Sequence, residues 1–236
     1  MKKKSPLPPA SPLFAGVAEA DLGALLRCLA AVKKRFPKGG FIWAEGNRAG
    51  LVGLTLSGAV HVLREDFWGG RLILGRVEPG GLFGESFACA GSGRLPVSVQ
   101  AAEESEVLFL DCRKILAPCA SACAFHARVV RNLARILAEK NILLTRKLEH
   151  ITRPTTREKL LSYLSEEARR AGGDSFDIPF TRQELADYLA VDRSALSGVL
   201  SKMRADKLLR CRRGHFELLT GAGTCKKPEA EDSRIG

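Results

Sequence analysis

Residues 179–209, PFTRQELADYLAVDRSALSGVLSKMRADKLL, restrict the fold more than any other part of the chain. They spell two short amphipathic helices meeting at a tight angle. Thr181 stands three residues before Glu184, the spacing at which a hydroxyl takes an orphan backbone N–H while the carboxylate reaches back. Leu185, Ala186 and Leu189 form the inward stripe of the first helix. Ala190 and Val191 make the turn, and Asp192 is a natural N-cap for the second helix. There Leu196, Val199, Leu200 and Met203 recur at helical spacing as one buried stripe. Arg193, Ser194, Ser197 and Ser201 occupy the opposite side without a carboxylate among them. Such a face suits a helix that lies against base edges in the major groove. Beyond it, residues 209–218 read as a hairpin with Arg212-Arg213-Gly214-His215 at its tip, a wing placed to touch phosphates. Ala190 sits where such a turn prefers glycine, and a left-handed backbone there costs about 1–2 kcal/mol.

The formal net charge of +11 favours a polyanionic partner. That charge is spread along the chain, over Lys2-Lys3-Lys4, Lys33-Lys34-Arg35 and the series Arg128, Arg131, Arg135, Lys140, Arg146 and Lys147. No apolar run reaches about 18 residues, so no membrane span is expected. The opening MKKKSPLPPA lacks the apolar core of a secretory leader. Residues 1–11 read as a flexible basic arm and 221–236 as a disordered tail. Seven cysteines without a leader point to the cytoplasm and free thiols.

The fold class expected is α+β, with three parts in order. Residues 12–117 form a jelly-roll-like β-roll sensor domain, opened by a helical lead-in over 12–35. Its body from Phe36 to Leu110 consists of short β-rich runs punctuated by glycine, with 60–63 and 72–74 as a hairpin around Phe67-Trp68-Gly69-Gly70. Residues 118–152 form one long dimerisation helix starting at Pro118. Its seam is Val130, Leu133, Leu137, Asn141, Leu144 and Leu148, at coiled-coil intervals and with a register-fixing Asn. A second stripe of Ile136, Ile142 and Leu143 is expected to face the roll. Arg153-Pro154-Thr155-Thr156 breaks the helix, and residues 153–220 form the winged helix-turn-helix domain.

This order resembles the CRP/FNR superfamily of bacterial transcription regulators over nearly the whole chain. The resemblance rests on GGLFGES at 80–86, the long helix, and TRQELADYLAVDRSALS at 181–197. It implies a homodimer on double-stranded DNA, at a palindromic promoter site, with RNA polymerase as a further partner. The two recognition helices would then lie about 34 Å apart. Arg193 falls on the arginine that reads guanine in the cyclic-AMP receptor branch. Ser194 replaces the glutamate common to both major branches, Gly198 replaces an arginine, and Ser197 agrees with the oxygen-sensing branch. Thr181, Arg182 and Arg212 match phosphate-contacting positions.

The resemblance also places an effector pocket in the roll, with Gly84, Glu85, Ser86, Arg94, Ile142 and Leu143 as its candidates. In nucleotide-binding members the Glu takes the ribose hydroxyl and a downstream Arg-Ser pair takes the cyclic phosphate. Here Leu95-Pro96 occupies the place of that pair, Arg94 comes one residue early, and proline removes a donor. This argues against cyclic AMP and leaves the effector unidentified. A structural turn kept for backbone shape is the favoured reading of Gly84-Glu85. Cys112, Cys119, Cys123 and His126 are candidate soft metal ligands, or else buried small hydrophobes and a hydrogen-bonded core histidine. A ligand-binding dimeric module acting on a protein partner is the rival reading, and it leaves the capped Arg/Ser helix without purpose. Motifs for phosphate loops, nucleophile elbows, zincins and dinucleotide binding are missing, which argues against an enzyme.

Overall fold

Val107, Leu108, Phe109 and Leu110 make an unbroken apolar run, and the structure buries both of its faces. A computed structural model describes residues 11–117 and 124–219. A single 3-10 turn (Pro12–Phe14) and α1 (Glu19–Cys28) lead into β1 (Val32–Phe36), β2 (Phe41–Trp43), β3 (Leu51–Ser57), β4 (Val60–Glu65), β5 (Arg71–Val77) and β6 (Leu82–Phe83). Then come α2 (Glu85–Cys89), β7 (Ser98–Ala101), β8 (Ser105–Asp111), α3 (Cys112–Leu116) and α4 (Ala124–Ile151). The remaining elements are α5 (Thr156–Ala171), β9 (Ser175–Asp177), α6 (Arg182–Leu189), α7 (Arg193–Ala205), β10 (Leu209–Arg212) and β11 (His215–Leu218). The chain divides into two units, Met1–Lys147 and Leu148–Gly236, with the break inside α4.

The first unit is built on two four-stranded antiparallel sheets, β1-β8-β3-β6 and β2-β7-β4-β5. Alternation along β8 explains its two buried faces. Val107 and Phe109 meet Ile42, Val60, Phe83, Val99 and Ala101 between the sheets. Leu108 and Leu110 point the other way and pack with Val52 and Leu54 against helical residues Leu25, Ile115, Val129, Leu133 and Ile136. Gly53 is required on β3, since a Cβ there would fall 2.2 Å from the Phe83 ring. Phe67 and Trp68 sit in the β4–β5 turn, where Asp66 Oδ1 accepts from Trp68 N and Gly70 N at 2.9 and 2.7 Å.

Three expectations change here. The helical lead-in ends at Cys28, and 32–35 belong to β1, where Lys33 and Arg35 both reach Glu106 of β8 at 2.9 Å. Charge pairing across a strand pair, invisible to apolar periodicity, explains the difference. Ser11 is no part of an arm: it is buried and its hydroxyl donates to Gly80 O at 3.4 Å. On α4 the roll-facing stripe is Val129, Leu133, Ile136, Lys140 and Lys147, so Leu133 of the expected seam is spent on the roll. Ile142 and Leu143, expected to face the roll, are 55% and 49% exposed. Two lysines continue the stripe in their place, Lys140 half-buried and Lys147 buried, with ammonium groups donating to Leu82 O and Ile73 O. Further up α4, Arg128 donates to Gly16 O, and Asn132 donates to Leu13 O and Ala15 O at 2.9 and 3.0 Å. Part of the basic charge on α4 therefore serves the chain's own carbonyls.

In the second unit α5 starts with a capping box that joins Thr155 and Glu158. Leu160, Tyr163 and Leu164 of α5 pack with Leu185, Ala186, Leu189, Leu196, Leu200, Met203 and Phe216. The sheet order is β10-β11-β9. β9 was not foreseen, because three residues carry too little periodicity to announce a strand. The arm over 1–10, the start of the long helix at 118–123 and the tail over 221–236 lie outside the described residues.

Candidate nucleic-acid interface and effector cassette

Each helix of the 181–205 pair starts at a side-chain cap. Thr181 Oγ1 accepts from Glu184 N at 3.3 Å, while Thr181 N donates to Glu184 Oε2 at 2.8 Å. The turn forces Ala190 into the left-handed region, at φ 53° and ψ 56°. Asp192 Oδ1 then accepts from Ser194 N at 2.7 Å, from Ala195 N at 3.0 Å and from the Ser194 hydroxyl. The Ser194 hydroxyl and these two amides hold the Asp192 carboxyl below its ordinary range. Its negative charge also suits the N-terminus of α7. Ser197 Oγ donates to Arg193 O at 2.9 Å. Leu196, Leu200 and Met203 are buried beneath, whereas Arg193, Ser194, Ser197 and Ser201 are exposed.

The flanking residues differ among themselves. Thr181 and Arg212 are exposed. Arg182 is half-buried: its guanidinium lies 5.4 Å from the Phe216 ring centroid, and Nη2 donates to Cys211 Sγ at 3.3 Å. Arg182 thus braces the wing from behind. At the wing tip Arg213 adopts φ 56°, and Arg212 pairs in register with His215. Ser201 lines a depression of about 590 Å³ between α7 and β10, with Arg204, Leu209, Arg210 and Cys211.

In the roll, Gly84 caps α2 with φ 78°, and a Cβ there would lie 2.5 Å from Trp43 Cζ3. No other residue fits that conformation so close to a ring. Glu85 is 2% exposed. Its Oε1 accepts from Lys140 Nζ at 2.7 Å and from Ser86 Oγ at 3.4 Å, and its Oε2 has no partner among the described residues. Arg94 is exposed and donates to Gly46 O at 2.8 Å. Leu95 is buried, so the residue standing where a phosphate-binding arginine would be is part of the core. Ile142 and Leu143 are exposed, whereas Glu85 is buried. Sequence reasoning missed the Glu85–Lys140 pair, because 55 residues separate the partners. The only local signal was Lys140 standing one turn after Ile136.

The cysteine candidates separate. His126 Nε2 donates to Lys114 O at 2.8 Å and to Ile115 O at 3.1 Å, so it ties α4 to α3 as a core histidine. Cys112 is buried and its Sγ lies 3.4 Å from Cys89 Sγ. Cys119 and Cys123 lie outside the described residues. Among the described residues no group of three His, Cys, Asp or Glu side chains could hold a metal ion. Nor is any described helix long and apolar enough to cross a membrane.

Comparison with known proteins now decides the family. A model of the cyclic nucleotide-binding domain matches residues 33–121, and a model of the Crp-like helix-turn-helix domain matches residues 158–222. The two follow one another in the order of the two units and together take in more than half of the chain.

The chain belongs to the CRP/FNR superfamily.

Solved CRP/FNR structures agree with the fold. The c-di-GMP responsive global regulator CLP of Xanthomonas campestris is 22% identical, with a TM-score of 0.70 over 85% of this chain and 100% of that one. FixK2 of Bradyrhizobium japonicum is 22% identical, with a TM-score of 0.62 over 80% and 92%. A CRP-family transcriptional regulator of Thermus thermophilus, TTHB099, is 25% identical, with a TM-score of 0.58 over 79% and 91%. No curated protein matches the chain. The CRP/FNR fold here is therefore that of a transcription regulator, with a helix-turn-helix and a cyclic-nucleotide-binding type roll.

Proposed function

We propose that this CRP/FNR chain is a sequence-specific DNA-binding transcription regulator that works as a homodimer. One observation carries the reading: Arg193 and three serines stand exposed on a capped helix beside a basic wing. Arg193 reads a guanine through two parallel hydrogen bonds. Ser194, Ser197 and Ser201 contact neighbouring base edges, while Thr181 and Arg212 hold phosphates. Dimerisation uses the exposed half of α4, where Ile142, Leu143, Leu144 and Leu148 are all about half exposed (49–56%) and Asn141 is exposed beside them. RNA polymerase is the downstream partner. The working parts are the roll up to 117, the helix over 118–152 and the winged domain over 153–220.

The switch lies in the roll, as an effector or a redox signal. Glu85 Oε2, buried and without a partner among the described residues, suits a ligand hydroxyl. A cyclic phosphate would find Leu95 and Pro96 where it needs a guanidinium and a hydroxyl, so cyclic AMP does not fit. Selection of bound duplexes from a random pool tests the reading. Palindromic sites with a guanine whose preference disappears in Arg193→Ala, at a cost of about 1–3 kcal/mol, support it. Unchanged affinity and specificity in that variant would remove Arg193 from this role.

A further inference from the structure

We infer that Cys89 and Cys112 form a dithiol that hydroperoxides close into a disulfide, pinning α2, the helix of the effector cassette, to α3. The two sulfurs lie 3.4 Å apart, from residues 23 positions apart in sequence. A disulfide needs about 2.05 Å, so closure asks for a shift of roughly 1.4 Å, within reach of side-chain rotation. Neither cysteine has a role in the DNA-facing machinery. Cys112 is 1% exposed, and burial together with the Cys89 thiol pushes its own thiol up to about 12. Cys89 is half-buried at the C-terminal end of a five-residue helix and is the member a small peroxide reaches.

The chemistry follows from that asymmetry. The Cys89 thiolate attacks one oxygen of hydrogen peroxide, the O–O bond breaks, and Cys89 becomes a sulfenic acid as hydroxide leaves with a proton as water. Cys112 sulfur then attacks Cys89 sulfur. The S–O bond breaks, and the departing hydroxide takes the Cys112 proton. Two thiols and one peroxide thus give one disulfide and two waters. The electron pair lost by the sulfurs is the one that reduces the peroxide. Because Glu85 at the other end of α2 is held by Lys140, the bond would fix both ends of the helix. The effector cassette would then lose its freedom to rearrange.

The effect on DNA rests on the regulator reading above; the dithiol chemistry does not. The test uses the full chain, reduced, then treated with hydrogen peroxide, with remaining thiols alkylated before an unreduced tryptic map. The expected result is a linkage between peptides 77–94 and 95–113, about 2 Da lighter than their sum and released by dithiothreitol. Cys89→Ser should abolish it and leave Cys112 an intact thiol. Alkylation of both residues after peroxide, or a bond from either to another cysteine, overturns the inference. Measuring duplex affinity on the same samples separates the two ideas. A linkage with no duplex affinity in either state sinks the DNA reading alone, and duplex affinity with no linkage sinks the dithiol alone.

Discussion

Lys140 Nζ lies 2.7 Å from Glu85 Oε1, so a lysine on α4 holds the first residue of α2. The carboxylate side chain is 3% exposed and the lysine 30%, so water screens the pair from one side only. Lys140→Met removes the cation and strands a buried carboxylate. Removal of one partner from a buried pair costs about 3–5 kcal/mol, and the half-open lysine lowers that to roughly 2–3. Urea unfolding should show the loss, and Glu85→Gln in the Lys140→Met background should recover most of it. An unchanged midpoint in Lys140→Met would mean the pair holds nothing.

Ala190 is held at φ 53° by the turn between α6 and α7. Its strain is worth about 1–2 kcal/mol, from which a glycine's extra unfolded-state freedom takes back about 0.4–1. Ala190→Gly should therefore raise the stability of the second unit by about 0.5–1 kcal/mol. The denaturation midpoint should move up with its slope unchanged.

Lys147 carries a pH signature. Burial brings its ammonium down to about 8, whereas the unfolded chain keeps it near 10.4. Between those values the unfolded state holds one proton more, so stability rises with pH across the window. Below about pH 8 both states are charged and the cost of burying the charge is fully present. Relative to Lys147→Met, the unfolding free energy should climb by up to about 3 kcal/mol from pH 8 to pH 10.4. A flat difference across that range would contradict the assignment.

Arg212 of the wing and Arg182 of α6 should part company. Arg212 is exposed, so Arg212→Ala should leave stability alone, weaken all duplexes alike and reduce the slope of log affinity against log salt by about 1. Arg182 rests on Phe216 and Cys211, so Arg182→Ala should also lower the melting temperature, by the equivalent of about 1 kcal/mol.

How much of this was legible depended on the range of the interactions. The caps at Thr181 and Asp192, the turn at Ala190 and the wing are local, and a few neighbouring residues announce them. Partners far apart in sequence were invisible. The α4 stripe shows why: Val129, Leu133 and Ile136 read as apolar, but Lys140 and Lys147 continue the same face with polar ends. A reading by hydrophobicity therefore rotated the helix toward Ile142 and Leu143. The Cys89–Cys112 contact and the strand at 32–36 were hidden for the same reason. Arg182 kept the residue type that the phosphate position calls for, yet its neighbours on the wing redirected it.

Two serines of α7 have already committed their protons. Ser194 donates to Asp192 and Ser197 to the carbonyl of Arg193, so under the DNA-binding function proposed above each hydroxyl would meet the major groove with lone pairs alone. Only adenine and cytosine present an amino group there, whereas guanine and thymine offer oxygens. Opposite these two side chains the alphabet would be halved before any duplex arrives, by hydrogen bonds that never leave the protein.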